Sequence, residues 1–343
     1  MMIPGFSRYL QAVRKLPGII SLFSLLLWSS TGVSQAQPLV EPIYLPLIIH
    51  QTRPYYAAVS GLNGNTRSIF LYGQTLGNHA DIFSKIGDSI TADDDFLYPI
   101  GDGNYHLRDY GELAPVVAYY SQSAAREGRN SFSNFSLAAH SGWTTGYILN
   151  QSYANKAVCG EMESPLACEY RMVRPSIALI MLGTNDVYLH VPMAEYEANL
   201  RTILQMTLDA GIIPVLSTLP PMMIDWTVEP IQQANALLKA LAEEYNIPLW
   251  DYNALLLPLP NYGLSSDGIH PDNLPGGAAD FTPENLQYGM TVRNLSALYI
   301  LQAVKGVANP EGQLQDEAAP IPDENQFPYP YPDESDPWKS QPY

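Results

Sequence analysis

The stretch Ile177-Ala178-Leu179-Ile180-Met181-Leu182-Gly183-Thr184-Asn185-Asp186 decides the fold. Its first six residues are all apolar, without the alternation of polar and apolar residues that a strand with one solvated face shows. A continuous apolar run of this length, ending at a glycine, is typical of a strand covered on both faces of a sheet. We therefore expect a central strand of a parallel sheet here, with the polar tetrapeptide Gly183–Asp186 at its carboxyl end.

Similar apolar runs occur on both sides of this central strand. Further strands are predicted at Ile82–Ile86, Phe132–Ala139, Ile212–Leu219 and Pro248–Trp250. Between them, apolar residues recur at helical spacing, which predicts helices over Ala194–Ala210, Pro230–Tyr245 and Glu284–Lys305. Gly211 stands where a C-terminal cap belongs. Strands that alternate with helices favour an α/β fold whose sheet is wrapped on both faces.

Four short polar segments follow the predicted strands. They are Gly87-Asp88-Ser89, His140-Ser141-Gly142-Trp143, Gly183-Thr184-Asn185-Asp186 and, in the long loop before the last helix, Asp267-Gly268-Ile269-His270. In an open α/β sheet the carboxyl ends of the strands border the ligand crevice. Segments that are far apart in the chain are therefore expected to meet at one site.

The side chains in these segments are those that acyl transfer needs. The Ser89 hydroxyl is a weak nucleophile until a base removes its proton, and His270 is a suitable base. Asp267, three residues earlier, is placed to orient the imidazole. The backbone N–H groups of Ser89 and Gly142 and the side-chain amide of Asn185 are the candidate donors to an oxyanion.

In this order the four segments resemble the conserved blocks of the SGNH (GDSL) hydrolases. The resemblance extends from about residue 82 to residue 305 and implies a flavodoxin-like three-layer α/β/α sandwich with a central, mostly five-stranded parallel sheet. It implies ester hydrolysis without a cofactor, a triad of Ser89, Asp267 and His270, and an oxyanion hole of Ser89, Gly142 and Asn185. Gly146 is a weaker candidate for the second block.

Two aspartates within these motifs have a structural interpretation. Asp88 is predicted to anchor the turn that carries Ser89. Asp186 is predicted to cap the helix that follows the central strand.

Several functions are compatible with this constellation. The leading hypothesis is a secreted esterase for short-chain or carbohydrate O-acyl esters. The alternatives are a lipase, phospholipase or thioesterase for longer acyl chains, transfer of the acyl group to a sugar, and a carbohydrate-binding protein that has lost catalysis. Tyr188, Trp143 and Tyr98 are candidates for an aromatic wall that contacts a sugar or an acyl chain.

The bulk composition restricts the partners. Of the 343 residues, 46% are hydrophobic and 15% charged, which allows a substantial core, and the formal net charge is −17. Such an acidic surface repels phosphate backbones and anionic lipid head groups. We therefore predict a small-molecule or polysaccharide ester as substrate, no nucleic-acid partner and no stable membrane association after signal cleavage.

The two ends of the chain differ from its middle. Residues 1–36 contain basic residues, then an apolar run, then small residues, which is the order of a secretory signal with cleavage after Ala36. Residues 37–51 are interpreted as a linker or N-terminal extension and residues 52–308 as the hydrolase domain. Residues 309–343 hold eight prolines and eight acidic residues against one lysine, which predicts an acidic, proline-rich disordered tail.

The remaining candidate sites have simpler interpretations. The only cysteines, Cys159 and Cys168, are expected to form a disulfide in an exported protein. No metal site is predicted, because no other Cys or His lies beside them. The acidic run Asp93-Asp94-Asp95 does not have the spacing of an EF-hand loop.

Overall fold

The computed structural model describes residues 54–309. The predicted signal peptide (1–36), the N-terminal extension (37–51) and all but the first residue of the predicted tail (309–343) lie outside the described residues. None of the helices between residues 54 and 309 is both long and apolar enough to cross a bilayer.

A five-stranded sheet forms the centre of the fold. In chain order the strands are β1 (Val59–Ser60), β2 (His79–Gly87), β3 (Ala124–Arg126), β4 (Arg129–Asn130), β5 (Pro175–Met181), β6 (Ile213–Ser217) and β7 (Leu249–Trp250). The spatial order in the sheet is β1-β7-β6-β5-β2, and β3 and β4 form a separate hairpin. β2, β5, β6 and β7 are parallel, while β1 pairs antiparallel with β7. Every residue of β5 is buried, as the apolar run predicted.

Twelve α-helices surround the sheet in residues 54–309. They are α1 (Pro54–Ala57), α2 (Gly64–Leu76), α3 (Ser89–Ala92), α4 (Tyr98–Gly101), α5 (Ala114–Ser121), α6 (Thr145–Leu149), α7 (Pro165–Val173), α8 (Thr184–Tyr188), α9 (Met193–Asp209), α10 (Val228–Glu244), α11 (Tyr252–Leu256) and α12 (Gly289–Ala308). Short 3₁₀ turns lie at Arg108–Leu113, Gln151–Tyr153, Asp225–Thr227, Pro260–Gly263 and Asn285–Gln287.

The long helices form two outer layers. α2 and α5 pack against α12 and against the sheet on one face. α7, α9 and α10 cover the other face, where α6 contacts both α7 and α9. A hydrogen bond of 2.8 Å between the hydroxyls of Tyr170 and Thr207 joins α7 to α9. The predicted three-layer α/β/α sandwich with a mostly parallel central sheet is therefore confirmed.

The end of α9 shows how local sequence determines an element boundary. The Gly211 N–H donates to the Leu208 carbonyl and the Ile212 N–H donates to the Thr207 carbonyl, which is the Schellman arrangement. Gly211 has φ +66°, and a Cβ on it would lie 2.5 Å from the Gly73 Cα. Glycine is therefore required both by the backbone conformation and by the close approach of α2.

The prediction of a strand at Phe132–Ala139 is wrong. Only Ala139 forms a bridge with β2, through Gly87. The preceding residues turn locally, because the Asn130 carboxamide oxygen accepts the N–H groups of Phe132 and Ser133, each at 3.1 Å. The fifth strand of the sheet is instead β1, at the opposite edge. The predicted helix Glu284–Lys305 also begins later, at Gly289, after a 3₁₀ turn.

Candidate active site

Ser89 lies at the carboxyl end of β2, as the first residue of the one-turn helix α3. Asp88 caps this helix, and its Oδ1 accepts the Ile90 N–H at 3.1 Å. Gly87 is required here, since a Cβ would lie 2.1 Å from the Thr91 hydroxyl oxygen and 2.7 Å from the Met181 carbonyl oxygen. The strand and the helix thus approach too closely for any side chain at position 87. Ser89 itself remains partly exposed.

Three side chains from two distant segments form a hydrogen-bonded chain. Ser89 Oγ lies 2.8 Å from His270 Nε2, and His270 Nδ1 lies 2.6 Å from Asp267 Oδ2. An ionised carboxylate accepts only, so Nδ1 carries the proton and Nε2 is left to accept the Ser89 hydroxyl. The chemistry available to this arrangement is removal of the hydroxyl proton by the imidazole.

The turn Asp267–His270 holds the carboxylate in place. Asp267 Oδ1 accepts the Ser265 hydroxyl at 2.8 Å and the N–H groups of Ile269 and His270 at 2.8 and 3.0 Å. Gly268 takes φ +71°, in the left-handed region that favours glycine. Partial burial would raise the pKa of Asp267, but the hydrogen bonds from the His270 ring, these N–H groups and the Ser265 hydroxyl outweigh it and hold the pKa well below its usual range. Asp267 therefore stays ionised across the working pH range.

The loop with Gly142 is fixed to the end of β2. The Gly87 N–H donates to the Ala138 carbonyl at 3.0 Å, and the His140 N–H donates back to the Gly87 carbonyl at 3.2 Å. Gly142 is exposed, with φ +75°. The structure thus brings this loop beside Gly87, two residues from Ser89.

Asn185 reaches the same loop from the end of β5. Its Nδ2 donates to the Trp143 carbonyl at 3.1 Å, and the second N–H of the amide remains available to a ligand. Gly146, the weaker candidate, lies within α6 rather than in the loop.

The prediction that Asp186 caps the helix after the central strand is wrong. The cap residue of α8 is Gly183, and no side-chain hydrogen bond caps that helix. Asp186 instead accepts the Thr145 N–H at 3.0 Å and the Thr145 hydroxyl at 2.5 Å, at the start of α6. Burial raises the pKa of Asp186, although these hydrogen bonds oppose the rise. Its role is to tie the loop of Gly142 to the end of β5.

Asp88 anchors the turn of Ser89 as predicted, but a second buried charge beneath Ser89, Arg293, was missed by the sequence reasoning. Arg293 of α12 is 1% exposed, donates to the Ile90 carbonyl and to the Thr91 hydroxyl at 2.9 Å, and lies 3.6 Å from the centre of the Phe96 ring. Burial raises the pKa of Asp88 to about 6, and the Arg293 charge opposes that rise. A lone arginine inside the apolar pattern of the closing helix was the only signal in the sequence.

A third buried charge lies further back on β2. The Lys85 Nζ donates to the Phe132 carbonyl at 2.7 Å and lies 3.7 Å from the centre of the Tyr98 ring. Burial lowers the pKa of Lys85 to about 7. Tyr98 is therefore a packing partner of Lys85, not part of an exposed aromatic wall. Trp143 is also buried, so only Tyr188 of the three predicted wall residues is exposed.

The other sequence candidates lie away from this chain of hydrogen bonds. The sulfur atoms of Cys159 and Cys168 are joined in a disulfide. The neighbouring Glu163 pairs with Arg171, which together with the Gly160 N–H lowers the pKa of Glu163 to about 2. In the acidic run, Asp93 Oδ1 accepts the Asp95 N–H at 2.8 Å, which is a local turn.

Comparison with known proteins gives one family and several similar structures. The model of the GDSL-like lipase/acylhydrolase family matches residues 86–274. A GDSL-like lipase from Bacteroides thetaiotaomicron is 16% identical, covers 71% of this chain and 98% of its own, and has a TM-score of 0.40.

Two esterases have comparable similarity. A catalytic mutant of an acetylxylan esterase from Geobacillus stearothermophilus is 21% identical, with coverages of 64% of this chain and 93% of its own and a TM-score of 0.39. A carbohydrate esterase from Talaromyces cellulolyticus is 16% identical, with coverages of 69% and 99% and a TM-score of 0.39. A search of curated proteins found no match.

Proposed function

This chain belongs to the GDSL-like lipase/acylhydrolase family and is an ester-hydrolysing enzyme, and from that premise we propose that Ser89 is its nucleophile. The observation that carries the proposal is the hydrogen-bonded chain from Ser89 Oγ through His270 to Asp267, with distances of 2.8 and 2.6 Å. Both distances lie within the range needed for proton transfer.

In the first half of the reaction Ser89 Oγ attacks the carbonyl carbon of the ester. The hydroxyl proton passes to His270 Nε2, and the carbonyl electron pair moves onto its oxygen. Collapse of the tetrahedral intermediate breaks the bond to the alcohol oxygen, which receives the proton from His270. In the second half, water gives a proton to His270 Nε2 while its oxygen bonds to the acyl carbon. The bond between that carbon and Ser89 Oγ then breaks, Ser89 Oγ takes the proton back from His270, and the carboxylic acid is released.

Each neighbouring group has a defined part in this cycle. Asp267 keeps the Nδ1 proton in place and stabilises the imidazolium, without taking up a proton itself. The N–H groups of Ser89 and Gly142 and the Asn185 amide are the proposed donors to the oxyanion. Loss of one such donor lowers turnover by about 10²–10³. No cofactor has a part in the scheme.

Two residues of the proposed triad are exposed to solvent, which leaves room for a substrate with a bulky alcohol portion. The side chains of His270 and Asp267 are 36% and 47% exposed. A bulky alcohol portion can therefore lie beside them in solvent. We propose esters of short-chain acyl groups, including O-acyl groups on carbohydrate, as the substrates. The signal-like N-terminus and the acidic charge support export and an uncharged substrate.

The mature protein, residues 37–343, would be assayed on p-nitrophenyl acetate, butyrate and palmitate beside a Ser89→Ala variant. We expect Ser89-dependent release that is fastest on the short esters. Equal rates for the two proteins would refute the assignment of Ser89. A strong preference for palmitate would refute the short-chain assignment and favour a lipase.

A further inference from the structure

An exposed group of rings lies next to the proposed catalytic turn. Tyr188 and Trp226 are 46% and 44% exposed, with ring centroids 6.0 Å apart and planes tilted by 38°. The exposed His190 ring lies 4.5 Å from Trp226. We call these three residues the ring platform. Because Tyr188 and Trp226 stand beside each other and are not stacked face to face, each leaves ring surface accessible.

Two connections place the ring platform at the active site. Tyr188 is on the short helix α8, three residues after Asn185. On the other side, the Met223 N–H donates to the Gly268 carbonyl at 2.8 Å, inside the turn between Asp267 and His270, and Trp226 follows three residues later. The platform is therefore linked to Asn185 through α8 and to the turn of His270 through the hydrogen bond of Met223.

We propose that the ring platform binds the saccharide chain of a neutral acylated polysaccharide, so that the ester to be cleaved lies over Ser89. This inference rests on the proposed function, since it names the alcohol portion of the same substrate. Aromatic rings with exposed faces pack against the C–H faces of sugar rings, and their polar neighbours orient the ligand.

Charge restricts the class of ligand. The segments 183–197 and 220–233, which carry the platform, contain five acidic residues and neither Lys nor Arg. Three of the acids, Glu195, Asp225 and Glu229, are exposed. Such a surface repels polyuronates, nucleic acids and anionic lipids, and the repulsion does not act on an uncharged polymer.

Polar groups beside the rings distinguish a glycan from an acyl chain. Asp225 precedes Trp226 in the sequence and Glu229 lies three residues after it. The imidazole of His190 lies 4.5 Å from the Trp226 ring and is tilted by 31° against it. An acyl chain laid across the rings would desolvate these groups without giving them a hydrogen-bond partner, which is unfavourable. Sugar hydroxyls would supply hydrogen-bond partners.

Exposed aliphatic side chains near the ring platform in the sequence favour a competing interpretation, in which this surface binds lipid. Leu189, Met223 and Val228 are 51%, 51% and 47% exposed. Together with the rings they form an apolar surface, and such surfaces also adsorb to lipid–water interfaces. The test therefore includes a lipid substrate.

The test compares full-length mature protein with Trp226→Ala, Tyr188→Ala and the control Tyr72→Ala. Tyr72 is a similarly exposed tyrosine, at 49%, on α2 in the opposite helix layer. The substrates are p-nitrophenyl acetate, acetylated glucomannan as the neutral polysaccharide, acetylated pectin as the anionic one, and a tributyrin emulsion. Affinity electrophoresis in deacetylated glucomannan measures binding without catalysis.

We expect Trp226→Ala to lower kcat/KM on acetylated glucomannan at least about tenfold more than on p-nitrophenyl acetate, mainly through KM. Retardation in the glucomannan gel should be lost, Tyr188→Ala should give a smaller effect of the same kind, and Tyr72→Ala should change neither readout. Equal losses on all substrates, a selective loss on tributyrin, or wild-type preference for pectin would overturn the proposal. If the wild type cleaves no ester, the proposed function fails, while retardation in the gel still tests the platform by itself.

Discussion

At the scale of single residues, Asp267 is the group that orients His270, the proposed base. One of its oxygens faces His270 Nδ1, and the other accepts three donors from its own turn. The carboxylate can therefore neither rotate nor take up a proton easily, as its lowered pKa also indicates. This fixes the tautomer of His270 before any substrate binds.

Asp267→Asn keeps the shape of this side chain and changes its chemistry. The amide can donate to Nδ1, which moves the ring proton to Nε2 and removes the acceptor for the Ser89 hydroxyl. We expect kcat on p-nitrophenyl acetate to fall by about 10²–10⁴ with little change in KM. Steady-state kinetics check this, and circular dichroism controls for folding. A variant with wild-type kcat would contradict the role of Asp267.

Asp88 gives a prediction about stability and pH. Its carboxyl is fully buried, its Oδ2 has no hydrogen-bond partner, and burial raises its pKa from 3.8 to about 6. The folded protein thus holds this proton more tightly than the unfolded chain does. The contribution of Asp88 to stability therefore falls as the pH rises from about 4 to about 6, and the ionised group is unfavourable above that range.

Asp88→Asn removes this ionisation while keeping an acceptor for the Ile90 N–H. At each pH we compare the unfolding free energy of the variant with that of the wild type. We expect the variant to gain about 1 kcal/mol relative to the wild type when the pH is raised from 5 to 8. Urea denaturation at the two pH values measures it. The comparison across pH cancels any constant packing cost of the amide. The same difference at both pH values would show that Asp88 does not titrate as described.

At the scale of elements, the helix that carries Ser89 is supported from below. α3 is a single turn, too short to be stable alone, and it lies between two carboxylates, Asp88 and Asp93, at its ends. Arg293 on α12 donates to the carbonyl of Ile90 and to the hydroxyl of Thr91 within that turn. The longest helix of the described structure thereby holds this four-residue helix in place.

Arg293→Met and Arg293→Lys test this support. Methionine fills the space but leaves the acceptors of α3 and the two carboxylates without their cation, so we expect kcat to fall by about tenfold or more, with KM for p-nitrophenyl acetate nearly unchanged. Lysine keeps the charge and should restore part of kcat. Kinetics and thermal unfolding would be measured together. Wild-type kcat in the methionine variant would show that α3 holds its position without Arg293.

Some elements were predictable because their causes are local. The six apolar residues from Ile177 to Leu182 encode a strand buried on both faces, and Gly211 encodes the end of α9 through its own backbone preference. The polar segments at strand ends follow from the same reasoning, since parallel strands bring their carboxyl ends to one edge. The structure accordingly brings Ser89, His270 and Asp267 together.

Other features depend on contacts that a single segment does not reveal. The run Phe132–Ala139 has strand composition, yet Asn130 captures its first N–H groups and the segment turns. Asp186 looks like a cap for α8, and only the spatial position of Thr145 shows that it serves α6. The burial of Trp143 and Tyr98 follows from packing against distant residues, so the sequence located only Tyr188 of the exposed aromatic surface and missed Trp226.

At the scale of the whole molecule, the disulfide ties the loop after α6 to α7. It closes a loop with a sequence separation of 9 between Cys159 and Cys168. In the chain-entropy description, a loop of this size contributes about 2–3 kcal/mol. We expect the double variant Cys159→Ala/Cys168→Ala to unfold at a lower temperature while keeping its kcat, because neither residue contacts Ser89, His270 or Asp267. Differential scanning calorimetry with parallel kinetics checks this, and an unchanged melting temperature would contradict it.

The charge of the molecule also bears on its substrates. The formal charge of −17 repels anionic polymers, and an uncharged polymer does not meet that repulsion. The open triad and the exposed rings beside it are consistent with a substrate larger than a simple ester. The proposed chemistry nevertheless depends on one residue, Ser89.

The most direct test of that claim is covalent labelling with a fluorophosphonate, followed by peptide mass spectrometry. The reagent phosphonylates a serine only when a neighbouring base activates it. We predict one modified residue, Ser89, with hydrolysis of p-nitrophenyl acetate lost in proportion to labelling, no labelling in Ser89→Ala and much slower labelling in His270→Ala. Labelling at another residue, or ester hydrolysis that survives complete modification of Ser89, would contradict the account.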